Sequence, residues 1–396
     1  MASFAAQPNV KSRIKVGMSY NDALGGTTGN SVYSRSIFKE VANMEDVETY
    51  FFGYAHDVFR RNRRLIAGPR VHYVPAFLGA FGFKSLYGVT DRWNDFSVGL
   101  FSRLHSLDIF HFTNLLDYRE NSAKKTVVTI DDLAWYHHDD WTKSHVTKKM
   151  RKTIEHICTT ADRFIAVSQY TKNDFVKTLG LDPDKIEVIY EGASADFYPD
   201  PDRAFVAHAF GLEGDYILTV GRVEERKNSI GLLKSYAALP RNIREECKLV
   251  FRGNFSAREY EQRFRQTIAD LGIAEQVVCI SSGLTTESLR KLYSCARLFI
   301  LPSFFEGFGL PVVEARKCGT PVITSNTSSL PEVGGEGALY IDPHDLDEIT
   351  ETVARLYGDA NLGEELKKGS EKDIAQFDWH EAAVKTVEVY RRALAS

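Results

Sequence analysis

The feature that most restricts the fold of this chain is a rhythm. Short runs rich in β-branched and aromatic residues alternate with longer amphipathic stretches, and the alternation runs through twice. In the first half the runs are Ile14–Ser19, Val47–Phe52, Val71–Pro75, Asp108–Phe112, Thr126–Ile130, Phe164–Val167 and Ile186–Tyr190. In the second they are Tyr216–Val220, Lys248–Arg252, Gln276–Ile280, Leu298–Leu301, Pro321–Thr324 and Ala338–Ile341. Strands that are apolar along their whole length belong to parallel sheets covered by helices on both faces. Helical patterns fill the gaps at Asn30–Val41, Thr147–Thr159, Asn228–Ala238, Ala257–Leu271, Thr286–Cys295 and Leu310–Cys318. The 396 residues also exceed one ordinary core. The sequence therefore predicts an α/β protein of two doubly wound domains, residues 1–200 and 201–373, with a helical tail over 374–396. Between the domains, Tyr-Pro-Asp-Pro-Asp interrupts the pattern near Phe197–Ala207.

Composition excludes several classes. With 43% hydrophobic and 26% charged residues the balance is globular. No apolar run approaches the ~20 residues that span a bilayer, and no basic residue precedes the short apolar patch near Met1, so no signal peptide is read. Five cysteines without a C-x-x-C pair predict inert thiols in a reduced cytoplasmic setting, with Cys279, Cys295 and Cys318 buried, and no zinc site. The net charge of -4 hides basic clusters at Arg60, Arg61, Arg63, Arg64 and Arg70, and at Lys148, Lys149, Arg151 and Lys152. These read either as solvated surface or as a peripheral contact with anionic membrane or acceptor. Nucleic-acid binding is not indicated, since no basic-aromatic recognition motif accompanies them.

In doubly wound sheets ligands bind beyond the carboxyl ends of strands, and with two such domains the cleft between them is the default site. Residues just after strands therefore carry the information. After Leu298–Leu301 comes Phe304-Phe305-Glu306-Gly307-Phe308-Gly309-Leu310, then Pro311 and a helix containing Glu314. Gly307 and Gly309 allow close approach of backbone to a ligand, and a helix start offers free N–H groups. With Glu314 read in the first turn, Glu306 and Glu314 present two carboxylates for vicinal hydroxyls. After Tyr216–Val220 comes Gly221-Arg222-Val223-Glu224-Glu225-Arg226-Lys227-Asn228. Arg222 and Lys227 suit a diphosphate, whereas Glu225 and Arg226 read as surface residues. Gly25-Gly26-Thr27-Thr28-Gly29-Asn30 is either an anion site or a tight turn. Asp131-Asp132-Leu133-Ala134-Trp135-Tyr136-His137-His138 is either a sugar-binding edge or an acidic loop over packed aromatics.

In this order the motifs resemble glycosyltransferase family 4, with its GT-B fold of two Rossmann-like domains whose parallel sheets face a central cleft. The likeness rests on Gly221-Arg222 with Lys227-Asn228, the Arg252-Gly253 turn, the segment 282–292, the E-x7-E from Glu306 to Glu314, and Gly319-Thr320-Pro321-Val322-Ile323. In the first half it rests on Gly25-Gly26, Asp162–Ser168 and Lys185–Gly192. The resemblance implies that Glu314 binds the donor ribose, and that Glu306 and the backbone of Phe308, Gly309 and Leu310 hold the donor sugar. It implies that Arg222 and Lys227 hold the diphosphate beside Gly221 and Arg252, that Gly26 completes the anion site, and that Leu284 lies near the base. It further implies retention of anomeric configuration, no tightly bound cofactor and no metal, and a final helix that returns to the first domain. One departure stands out: Asp131 occupies the place where the family commonly has histidine. Its carboxylate, unlike a histidine, donates no hydrogen bond when ionised; a role in stabilising an oxocarbenium-like centre is one reading, and replacement by His137 or His138 another.

The stretch Asp108–Asn114 followed by Thr129–Leu133 is similar to mannosyltransferases of the family, which favours GDP-mannose over a UDP sugar, a glycan or lipid-linked saccharide acceptor, and polysaccharide biosynthesis. Phe77–Tyr87 and Trp93 read as an acceptor groove or a membrane-docking edge. The competing readings are a nucleotide-sugar epimerase or sugar phosphorylase on the same fold, and a non-catalytic nucleotide-sugar-binding protein.

Overall fold

The computed structural model describes residues 13–19, 28–54, 66–77, 87–138, 141, 144–281 and 283–396. By internal contacts the chain divides into two compact units. One comprises Met1–Ile130, Thr153–Ile165 and Ala383–Ser396; the other comprises Asp131–Lys152 and Ala166–Ala382.

Two sheets organise the chain. The first contains β1 (Ile14–Ser19), β2 (Val47–Tyr54), β3 (Val71–Phe77), β4 (Ile109–Phe112), β5 (Lys125–Ile130), β6 (Arg163–Ala166) and β7 (Ile186–Val188), in the order β3-β2-β1-β4-β5-β6-β7. The second contains β8 (Asp215–Val220), β9 (Cys247–Arg252), β10 (Val277–Ile280), β11 (Leu298–Leu301), β12 (Val322–Ser325) and β13 (Ala338–Ile341), in the order β10-β9-β8-β11-β12-β13. The pairings β1–β2, β1–β4, β2–β3 and β4–β5 are parallel, as are all five in the second sheet. Every residue of β4, β11 and β12 is buried. Their complete burial follows from helices covering both faces, and it extends to the polar members His111, Thr324 and Ser325.

Helices that the apolar rhythm does not reveal include Tyr87–Leu104, Gln169–Leu179 and Arg203–Phe210. The last of these begins inside the predicted break, with Asp202 accepting from Phe205 N as its cap. The predicted terminal helix from Ile374 is instead a 3-10 turn, Ile374–Gln376, followed by the helix Trp379–Ala395. Asp378 causes the restart, because its carboxylate caps His380 N at 2.8 Å and Glu381 N at 3.1 Å. Among the described residues, no helix is long and apolar enough to cross a membrane. Cys295 and Cys318 are buried, but Cys279 is exposed on β10. β10 is the edge strand of its sheet, so its outer side lacks the cover that the apolar sequence suggests.

Within the first unit the last helix is fixed by a buried polar chain. Tyr390 Oη lies 2.7 Å from His111 Nδ1, His111 Nε2 lies 2.8 Å from Thr129 Oγ1, and Tyr33 Oη lies 3.0 Å from the same hydroxyl. Burial pushes the His111 imidazole down to about 3, so it is neutral and needs both partners. Tyr390→Phe strands one ring nitrogen of a fully buried histidine. The expected cost is about 1–3 kcal/mol, read as a lowered midpoint in chemical unfolding, with the far-UV spectrum unchanged.

Candidate functional site

The order of the second sheet reverses between β8 and β11, and this is where a doubly wound sheet opens a crevice at its carboxyl edge. The loop after β8 carries Gly221 to Asn228, and the loop after β11 carries Ser303 to Gly309. The two loops are tied together: Phe304 N donates to Arg226 O at 2.9 Å, and Arg226 Nη1 donates to Phe305 O at 2.8 Å.

Glu306 lies at their junction and is only 6% exposed. Its Oε1 accepts from Lys227 Nζ at 2.6 Å and from Ser303 Oγ at 2.7 Å; its Oε2 accepts from Arg226 Nη1 at 2.9 Å. Burial is the largest single influence and acts to raise its pKa. The charges of Arg226 and Lys227 with the hydrogen bonds outweigh it and bring the carboxyl down to about 2. Arg226 is therefore not the surface residue its neighbourhood in sequence suggests. Besides Glu306 it pairs with Glu224 at 3.2 Å, and it sits in the field of Asp132. Glu225 is exposed, as expected, and pairs with Arg263 at 3.2 Å.

Lys227 folds back over Gly221. A Cβ on Gly221 would lie 3.0 Å from Lys227 Cε, and its φ of 135° disfavours any other residue. Arg222 points outward, with its side chain 56% exposed and a loose 3.8 Å contact to Glu224. Arg252, at the end of β9, is 8% exposed, and its buried Nε has no hydrogen-bond partner. That orphaned donor fits a ligand oxygen.

The predicted pairing of Glu306 and Glu314 is not what the side chains show. The helix after the loop is Leu310–Lys317, capped by Gly309 at φ 113°, and it has no acidic residue in its first turn. Glu314 is its fifth residue and accepts from Tyr293 Oη at 2.8 Å, with Arg252 nearby in charge. The residue is half-buried with its carboxyl enclosed, and burial pushes that group up to about 7 against the pull of Tyr293 and Arg252. Phe308 and Leu310 are buried, with the Phe308 ring between Tyr190 and Phe377. Leu284 is half-buried in the loop after β10. Gly26 lies outside the described residues, as do Arg60, Arg61, Arg63 and Arg64.

Gly307 is glycine for a reason the sequence does not disclose. A Cβ there would lie 2.4 Å from Asp131 O, so the close approach is to protein backbone. Ser168 Oγ donates to Gly307 O at 2.8 Å, Thr171 Oγ1 donates to Asp131 O at 2.9 Å, and Ser329 Oγ lies 2.8–2.9 Å from the carbonyls of Phe308 and Glu306. Asp131 also raises the carboxyl of buried Glu191, adding to the effect of burial. Asp132 accepts from Ala134 N at 3.0 Å. His137 Nε2 lies 2.8 Å from Asp174 Oδ1, and its ring is 6.2 Å from that of Phe305, while His138 stacks on Trp141 at 3.9 Å. Ser303, three residues before Glu306, was the one missed contact visible in the local spacing; Arg226, Tyr293 and the seryl hydroxyls carried no such signal.

Comparison with known proteins matches residues 31–197 to the family model "Glycosyltransferase Family 4" and residues 201–373 to "Glycosyl transferases group 1". The O-antigen chain mannosyltransferase B of Escherichia coli is 29% identical over 72% of this chain and 74% of its own length. The serotype-specific mannosyltransferase WbdA of the same organism is 29% identical over 60% of this chain, which corresponds to 29% of WbdA. A sucrose-phosphate synthase from Thermosynechococcus elongatus has a similar fold, with a TM-score of 0.79 at 18% identity, covering 97% of this chain and 100% of that one.

The two glutamates have opposite linkages to stability. Glu306, with its lowered pKa, stabilises the fold above the ordinary carboxylate range, and that contribution is lost as pH falls toward 2. Glu314, with its raised pKa, contributes stability that is complete below about 4.5 and is lost as pH rises through about 7. Glu314→Gln is therefore expected to unfold near the wild-type temperature at pH 5 and roughly 2–6 °C above it at pH 8. Thermal unfolding at the two pH values measures this difference.

Proposed function

We propose, from the premise that this chain belongs to the family 4 glycosyltransferases of the GT-B fold, that it transfers mannose from GDP-mannose to a growing polysaccharide or lipid-linked saccharide. The chain is a hexosyltransferase. The transfer proceeds with retention and without a metal ion. The observation that carries this reading is the cluster of Glu306, Arg226, Lys227 and Ser303 at the point where the second sheet reverses. The similarity to two mannosyltransferases of Escherichia coli supports the choice of sugar.

The chemical difficulty is the departing diphosphate. Lys227 Nζ has N–H groups beyond the one given to Glu306, and exposed Arg222 can turn toward an arriving anion. Each charge-assisted hydrogen bond contributes about 1.5–3 kcal/mol, so the two together supply a few powers of ten in rate without Mg²⁺. The acceptor hydroxyl attacks from the face the diphosphate leaves, and a phosphate oxygen takes its proton. Arg252, with its unpaired Nε, and Glu314 form the nucleoside end of the site. Asp131 faces the developing positive charge at the anomeric carbon. An exposed apolar edge, Trp93, Phe96, Leu100 and Leu104 on the helix Tyr87–Leu104, suits the lipid end of an acceptor.

Nucleoside diphosphates screened by thermal shift settle the donor class, with GDP expected to stabilise more than UDP. In an assay with acceptor, proton NMR of the first product is expected to show the donor's anomeric configuration, and excess chelator is expected to leave the rate unchanged. An inverted product or loss of activity with chelator overturns the corresponding part of the mechanism. Nucleotide released only when acceptor is present separates transfer from epimerisation and from mere binding. Lys227→Ala is expected to lower kcat by about 10²–10³ with little change in acceptor KM. Asp131→Asn is expected to lower kcat while sparing donor affinity, and an unchanged rate removes Asp131 from the mechanism.

A further inference from the structure

Arg226 is held on both edges of its guanidinium. Nη1 serves Phe305 O at 2.8 Å and Glu306 Oε2 at 2.9 Å, while Nε and Nη2 lie 3.3 and 3.2 Å from Glu224 Oε1. A planar fork whose Nε, Nη1 and Nη2 all serve protein acceptors cannot turn to a ligand without giving up those bonds. Lys227 differs. It is a point charge on a flexible stem, it reaches Glu306 Oε1 at 2.6 Å, and it lies against Gly221 at the carboxyl end of β8.

The two oxygens of Glu306 are thus divided. Oε2 belongs to Arg226, and Oε1 is shared by Lys227 and Ser303. If Lys227 leaves, Ser303 still holds Oε1 and Arg226 still holds Oε2. If Arg226 is absent, Lys227 is the sole remaining cation bonded to a carboxylate that is 6% exposed, and its departure strands a buried charge.

We propose that Arg226 is a positioning residue of the donor site: it grips Glu306 from the side opposite Lys227, and so frees Lys227 to move from that carboxylate to the donor's diphosphate. The inference rests on the donor-site reading above. It assigns Arg226 an effect on diphosphate affinity without contact to the diphosphate. The other charges around the guanidinium, Glu224 and Asp132, keep their places in this exchange, because only Lys227 changes partner.

The test is calorimetric binding of GDP and UDP, which carry the diphosphate and no sugar, to the full chain at constant pH and salt. R226Q is expected to weaken the preferred nucleotide by tenfold or more. E306Q is expected to bind at least as well as wild type, since Lys227 is then released. The decisive variant is the double R226Q/E306Q, expected to return to within about threefold of E306Q, because without the carboxylate charge Lys227 is free whether or not Arg226 is present. A merely structural role for Arg226 predicts no such rescue. A double variant as weak as R226Q, or R226Q equal to wild type, overturns the proposal. Should R226Q fail to fold, R226K, which cannot serve Phe305 O, Glu306 and Glu224 together, is expected to show the same rank order at two- to fivefold, and no rescue by E306Q overturns the proposal equally. Wild type that binds neither nucleotide overturns the donor-site reading itself, and this inference with it.

Discussion

The carboxylate of Glu306 is the constraint around which the second sheet's carboxyl edge is arranged. An ionised carboxylate removed from water costs several kcal/mol, and it persists only where counter-charges and hydrogen bonds replace the lost hydration. Here the replacement comes from a different loop. Arg226 and Lys227 follow β8, Glu306 follows β11, and those strands are neighbours only because the sheet order reverses between them. The ion cluster thus depends on the topology. In return it fixes two otherwise independent loops in register, with Phe304 N and Phe305 O bonded to Arg226 as a second tie.

The proposed division of labour gives each of the two cations its own task. On the proposed donor-site reading, a single lysine would satisfy Glu306 in the resting protein but would then be bound to that carboxylate just when a diphosphate arrives. On that reading a locked arginine and a movable lysine separate the structural charge from the functional one. The exposed Arg222 is also free to move, and its contact with Glu224 at 3.8 Å is too long to restrain it strongly.

Much of this was legible in the sequence, for physical reasons. Strands buried on both faces are mostly apolar, so β1, β11 and β13 are found at their predicted bounds and the others within a few residues. Lys227 and Glu306 stand out in the sequence as charged residues in glycine-bearing loops just after apolar strands, although no spacing announces that they bond each other. Helices such as Gln169–Leu179 escaped because their buried residues are few, Thr171 and Phe175, and their surfaces are polar. Arg226 escaped for a related reason. In sequence it belongs to a run of charges, and its anchor is a backbone carbonyl, Phe305 O, which no residue type announces. The helix start at Leu310 is where the sequence puts it, but Glu314 is its fifth residue and falls just beyond the first turn, and its partner Tyr293 comes from another element.

The same limit bears on Asp131. Its identity departs from the histidine common in the family, yet the contact that shapes the donor loop uses its main chain. The carbonyl of Asp131 faces Gly307 so closely that a Cβ there would clash at 2.4 Å, and the Thr171 hydroxyl donates to that carbonyl. Any residue at 131 supplies a carbonyl, so the backbone geometry of the loop survives the exchange of histidine for aspartate. What the exchange alters is charge. Asp131 lies in the field of Glu191, whose carboxyl is raised well above its ordinary range by burial and by Asp131 itself. Burial and the charge of Asp131 act in the same direction on Glu191, and both disfavour its ionised form.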